Sequence, residues 1–195
     1  RRQRQMCIRD RKNTDRSNSL WMTPIEGSKA LFVTEDPLDA IAHSQLFPGA
    51  RYAYLCTGGT STKAQREMIH SFSQKFKLPI ILGNDNDLAG QLENFKLAYH
   101  TANIEYAINS KTQRVLLTVN GAEREWGKDE IVAALQAVMK QRPNMILSIP
   151  WAKDWNDDLR SSKKSISLRI AENMVRAQIE TTKSEQRGMI AGKLP

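Results

Sequence analysis

Short apolar runs alternate with helically spaced stretches along the first hundred residues. Ala30-Leu31-Phe32-Val33-Thr34 reads as a buried strand that ends at Glu35. Pro37 suits the first turn of a helix with Asp36 as its N-cap, and Leu38, Ile41, Ala42 and Leu46 form its apolar stripe. Pro48-Gly49 stops that helix. Residues 52–56 make a second strand, closed by Thr57-Gly58-Gly59-Thr60, and residues 62–76 carry helical spacing at Ala64, Met68, Ile69 and Phe72. Pro79-Ile80-Ile81-Leu82 is a third strand, and a helix follows over residues 88–101. Residues 12–28 are polar and turn-rich, a lead-in without an element.

The pattern then changes. Residues 104–108 and 115–119 alternate around Asn109-Ser110-Lys111-Thr112-Gln113, which predicts a β-hairpin, and residues 128–141 predict a helix with Ile131, Leu135 and Val138 on one face. Residues 145–149 resume as a strand, so 103–142 reads as an insertion between the third and fourth strands of one sheet. Strand–helix alternation with strands apolar on both faces predicts an α/β, Rossmann-like parallel sheet of about four strands flanked by helices. The expected organisation is a lead-in at 1–27, a domain at 28–159 and a basic helical tail or linker at 160–195, with an amphipathic stretch at Leu168, Ala171, Val175 and Ile179.

Composition sharpens this. The chain has 195 residues, 40% hydrophobic, enough for one domain with a real core. No apolar run approaches the roughly 18 residues that span a bilayer, and the basic N-terminus leads into no signal-like apolar stretch. Cys7 and Cys56 lie far apart and offer neither a disulfide framework nor zinc spacing. A cytoplasmic chain is expected. The formal net charge of +8 sits at the two ends: residues 1–11 hold five Arg and one Asp, and residues 160–195 hold eight basic and three acidic side chains. Arg1-Arg2-Gln3-Arg4-Gln5-Met6-Cys7-Ile8-Arg9-Asp10-Arg11 resembles the translation of a sequencing adapter, so the expectation is a metagenomic fragment whose first residues carry no function. The competing reading is a basic nucleic-acid-binding arm.

In a doubly wound sheet the binding crevice lies at the carboxyl ends of the strands. Glu35 ends the first strand, with Asp39 four residues on, and Asp85 and Asp87 follow the third. Lys153-Asp154-Trp155-Asn156-Asp157 follows the fourth. Singly, each has a plain structural reading. Asp39 would be a favourable charge in a first helical turn, and Asp-x-Asp is a common turn. An EF-hand reading of Asp85-Asn86-Asp87-Leu88-Ala89-Gly90 fails, because position five is Ala89 and position twelve is Lys96. Gly58-Gly59-Thr60-Ser61 before a helix reads equally as a turn or a phosphate nest, without the lysine spacing of a P-loop. His43, His70 and His100 have no ligand spacing, and Trp21 and Trp151 read as packing residues.

Together, Val33-Thr34-Glu35-Asp36-Pro37-Leu38-Asp39-Ala40, Gly83-Asn84-Asp85-Asn86-Asp87-Leu88-Ala89-Gly90 and Lys153-Asp154-Trp155-Asn156-Asp157 resemble the Toprim domain of primases, topoisomerases and related nucleases. The look is nearest to the Toprim-like domains of primase and mobilisation proteins from plasmids and conjugative elements. Thr57-Gly58-Gly59 with Gln65 resembles the family's middle segment, and the likeness spans about residues 17–159. The resemblance implies a Mg²⁺ (or Mn²⁺) site with Glu35, Asp85 and Asp87 at its centre and Asp39, Asp154 and Asp157 completing it. From their positions alone, Lys63 and Arg66 at the start of the second helix read as contacts for nucleic-acid phosphates or as a solvated face, and Lys153 beside the acidic residues reads equally as a phosphate contact or as their counter-charge. The physics agrees: six carboxylates at one sheet edge repel one another unless a hard cation joins them.

The implied function is a primase-type nucleotidyltransferase module acting on DNA, with single-stranded template, nucleotides and the parent protein's other domains as partners. The rivals are a nuclease of the overcoming-lysogenisation-defect type, and a non-catalytic DNA-binding module of a relaxase or recombination-mediator protein. No tyrosine sits in a recognisable cleavage context, which disfavours a topoisomerase.

Overall fold

The computed structural model describes residues 15–161, apart from the Arg16 side chain. The adapter-like segment, the Cys7 thiol and the amphipathic stretch beyond residue 161 lie outside the described residues. The elements, in chain order, are β1 (Trp21–Met22), β2 (Ala30–Thr34), α1 (Pro37–Leu46), β3 (Tyr52–Cys56), α2 (Lys63–Phe76), β4 (Ile80–Leu82), α3 (Leu88–Ala98), β5 (Ile104–Asn109), β6 (Arg114–Val119), β7 (Ala122–Gly127), α4 (Lys128–Gln141), β8 (Met145–Leu147) and α5 (Trp155–Arg160). No helix among the described residues is long and apolar enough to cross a membrane.

The main sheet runs β1-β3-β2-β4-β8. Its last four strands are parallel, and β1 is an antiparallel edge. The α/β expectation therefore holds, with one addition. The polar lead-in contains a fifth strand, because Trp21 and Met22 find backbone partners on Cys56 and Leu55 that no local pattern announces.

Alternate residues of each strand feed two cores. Leu31, Val33, Ala53, Leu55, Ile80, Leu82 and Met145 pack on one face with Ile69 of α2 and Leu92 and Phe95 of α3. Phe32, Tyr52, Tyr54, Ile81 and Ile146 pack on the other with Ala40 and Ala42 of α1 and Trp155 of α5. Burial on both faces explains why the strands read as unbroken apolar runs. Each fully buried Leu, Ile or Phe contributes about 1.5–3 kcal/mol.

The insertion is a three-stranded antiparallel sheet, β5-β6-β7, followed by α4, where the sequence pattern indicates only a hairpin. Asn120 and Gly121 both take positive φ in the two-residue turn from β6 to β7. Val115, Leu117, Ile131 and Leu135 join the core shared with α3. That cover buries all of α3 except Ala89: Gln91, Glu93, Asn94 and Lys96 are buried with its apolar residues.

Candidate functional site

The sheet's order sets the location of the site. From β2 the chain goes to β3 on one side, then crosses to β4 on the other. The switch point lies between β2 and β4, at whose carboxyl ends a ligand crevice forms. Glu35 follows β2 there, and Asp85 follows β4.

Local chemistry fixes each turn. Asp36 caps α1, its Oδ1 accepting from Leu38 N–H at 2.7 Å, with Pro37 opening the helix. Asp87 caps α3, its Oδ1 accepting from Gly90 N–H at 2.9 Å. A Cβ on Gly90 would lie 2.3 Å from the Asp85 carbonyl oxygen, so only glycine lets this turn fold against its helix. Asp154 caps α5 through Asp157 N–H at 2.7 Å.

Three bonds then lace the distant segments together. Asn86 N–H donates to Lys153 O at 2.7 Å, Asn156 N–H to Asp39 Oδ1 at 3.2 Å, and the Trp155 indole N–H to Gly83 O at 2.8 Å.

The electrostatics follow from this crowding. Burial, then Asp39, Glu35 and Asp87, push the Asp85 carboxyl up to about 7 against the pull of Lys153. Its Oδ1 is buried and accepts no hydrogen bond from a described residue. Burial and Asp154 push Asp39 up to about 6. Burial, then Glu93, Asp87 and Asp36, raise Glu35. The Lys153 ammonium lies 3.9 Å from Asp85 Oδ2 and 3.7 Å from Asp87 Oδ2. Burial works to lower its pKa, and Asp85, Asp87 and Asp154 together raise it.

Glu35, Asp39, Asp85, Asp87, Asp154 and Lys153 are thus coupled in one region. Asp157 faces outward instead, its Oδ1 3.8 Å from the Arg160 guanidinium. Lys63 pairs with Glu67 at 3.9 Å on an exposed face. Arg66 donates to Ser61 O at 2.8 Å.

The loop before α2 is also internally committed. Ser61 N–H and Oγ–H both donate to Glu93 Oε2, at 2.9 and 2.7 Å, so a carboxylate takes the place a phosphate would want. A reciprocal cap between Thr62 and Gln65 closes the first turn of the helix. Glu93 also receives Lys96 Nζ at 2.7 Å.

Glu93, Asp158 and the orientation of Trp151 escape sequence reasoning. Glu93 has a faint signal in its i, i+3 spacing to Lys96, and Asp158 has none beyond its neighbours. The histidines are structural. His43 is buried against Phe32 and Trp155 with its pKa down at about 3, and the His70 and His100 rings stack at 3.4 Å.

Among the described residues no group of three or more His, Cys, Asp or Glu side chains is drawn together tightly enough to hold a metal ion by itself. Mg²⁺ seldom asks for such a cage. It keeps several waters and takes one or two carboxylates plus substrate phosphates. The donor set fits that habit: hard oxygens, one buried and unpartnered, with mutual repulsion that a cation relieves.

Toprim-like is the family whose model matches the chain, over residues 32–115. No curated protein and no solved structure matches significantly. Toprim domains occur in primases, nucleases and recombination proteins that act on DNA, and they generally bind Mg²⁺ through acidic residues. The matched span runs from Phe32, inside β2, to Val115, inside β6, and so takes in Glu35, Asp39, Asp85 and Asp87. Over residues 32–115 this chain is similar to the Toprim-like family.

Proposed function

We propose that the chain is a Mg²⁺- or Mn²⁺-dependent nucleotidyl-transfer module of a primase-like protein from a mobile element or plasmid, working on single-stranded DNA with nucleotides. The observation that carries this reading is the buried, unpartnered Asp85 Oδ1 inside a group of carboxylates that raise one another's pKa. Such a group is unfavourable in the metal-free protein and needs a function to justify it.

In this reading Asp85 and Asp87 are the chief ligands, Glu35 helps position the metal, and Asp39 and Asp154 complete the shell. Asp157, turned toward Arg160, has the smallest part. The bound cation would supply charge neutralisation at the attacking and leaving oxygens of the transferring phosphoryl group. The chain's own residues bind and orient. Asp87 holds the start of α3 through its cap, and Trp155 and Asn86 fix the Lys153 segment beside it. Among the described residues Lys153 is the cation paired with Asp85 and Asp87, which makes it the natural contact for a substrate phosphate. Arg66 and Lys63 are the outer candidates for phosphates further along the strand.

The test is incorporation of labelled nucleotides on single-stranded DNA by the full chain with Mg²⁺ or Mn²⁺, beside Asp85→Asn and Asp87→Asn. Metal-dependent incorporation lost in both variants is expected. Strand cutting without incorporation would assign a nuclease instead, and metal-independent DNA binding without turnover a non-catalytic module.

A further inference from the structure

Trp151 is the most exposed large hydrophobic side chain among the described residues, at 62%, against 2% for Trp155 four positions on. The sequence pattern casts it as a packing residue, and the structure corrects that. Its exposure is held in place. The buried Asp158 carboxylate accepts the backbone N–H groups of Trp151 at 2.9 Å and Ala152 at 2.7 Å. The carbonyl of Lys153 is fixed in turn by Asn86 N–H. Both ends of this short segment are pinned, and the indole between them is left facing solvent.

We propose that the Trp151 indole is a stacking platform for an unpaired nucleobase at the rim of the acidic site. The inference rests on the DNA-directed reading above and adds how a strand is gripped there. A polyanion gains little from a surface carrying Glu35, Asp39, Asp85 and Asp87, so affinity at this edge needs a contact indifferent to charge. Base stacking on an aromatic ring is such a contact and tolerates any sequence. The spacing suits it. Two residues span at most about 7 Å of backbone, so Trp151 and Lys153 are close enough for neighbouring nucleotides of one strand to meet both. A strand with one phosphate at Lys153 therefore has a base in reach of Trp151. Duplex DNA keeps its bases stacked inside and offers no such face, which commits the platform to single strands or free nucleotides.

The test is fluorescence anisotropy of a labelled thymidine oligonucleotide with the full chain, Trp151→Ala and Trp151→Phe, across a salt series. Trp151→Ala is expected to weaken single-strand binding about 5- to 150-fold, the range for one stacked base, without changing the slope of log K against log salt. Trp151→Phe should recover part of the loss, and an abasic strand should erase the difference between the variants. Weakened binding of a free nucleoside triphosphate, with strand binding unchanged, would still support the platform and assign it to the incoming nucleotide. Equal affinities for wild type and Trp151→Ala in both arms, or a difference that persists on the abasic strand, would overturn the proposal alone. No binding of strand or nucleotide by the wild type would overturn the DNA-directed reading with it.

Discussion

The Trp155 indole N–H donates to the carbonyl oxygen of Gly83 across 2.8 Å, joining α5 to the end of β4 over 72 residues of sequence. The indole is buried edge-on against Phe32 and His43, so the same side chain fills the core under α1 and sets the height of the Lys153 turn beside Asp85. Replacing it with phenylalanine keeps an aromatic ring, leaves a void and strands the Gly83 carbonyl. Trp155→Phe should cost about 2–4 kcal/mol, the sum of an unmatched buried acceptor and a small cavity. Urea denaturation measures it. A loss below about 0.5 kcal/mol would mean that the bond does not hold the segment.

Gly90 gives a prediction whose sign is opposite to the local rule. In an exposed helix, glycine to alanine gains about 1 kcal/mol. Here the added Cβ would meet the Asp85 carbonyl oxygen at 2.3 Å and its nitrogen at 2.7 Å, both backbone atoms that cannot swing aside. Gly90→Ala should therefore destabilise the protein by about 1–3 kcal/mol, as overpacking does. A raised melting temperature would show that the turn can yield.

What the sequence reveals follows from where the information resides. The boundaries of β3 and α4, the Asp36 cap and the Pro37 start of α1 are written locally, in apolar runs and cap chemistry. The acidic residues at successive strand ends are legible for the same reason, since strand ends can be read once strands can. β1 is not, because two residues become a strand only when Leu55 and Cys56 arrive beside them. β7 is hidden by its charges, Glu123, Arg124 and Glu125, although Asn120-Gly121 signals the turn that leads to it. Trp151 and Trp155 are indistinguishable as residue types. Asp158 and Gly83 decide which one faces water, and both act through tertiary contacts.

The crowded carboxyls predict an inverted pH dependence for the metal-free protein. Asp85 and Asp39 have folded-state values near 7 and 6, above their ordinary 3.8, so the folded state keeps these protons to higher pH than the unfolded chain. Their contribution to stability is present at pH 4 and is lost as pH rises toward 7. Mg²⁺ should reverse this by binding the ionised pair, so its effect on the melting temperature should be small at pH 5 and larger at pH 8. Asp85→Asn should stabilise the metal-free protein at pH 8 and blunt the response to Mg²⁺. Thermal melts with and without chelator would settle it. A Mg²⁺ shift independent of pH, or a destabilised Asp85→Asn at pH 8, would contradict the argument.

Lys153 separates two roles that act in opposite directions. In the metal-free protein its ammonium is the counter-charge for Asp85 and Asp87, and at 61% side-chain exposure each contact contributes about 0.2–1 kcal/mol. Lys153→Met should therefore lower the melting temperature at neutral pH in the presence of chelator. The same ammonium repels any cation bound to those oxygens. A divalent ion about 5 Å away would feel roughly 1–2 kcal/mol of repulsion in a water-like dielectric. Removing the charge should tighten Mn²⁺ binding about 5- to 30-fold in a calorimetric titration, while the loss of one phosphate contact lowers the salt slope of DNA binding by about 1. A substitution that weakens the protein and strengthens its metal site at once is hard to produce by general damage. If Mn²⁺ affinity instead falls with stability, Lys153 is holding the turn in shape and is not standing in for the cation.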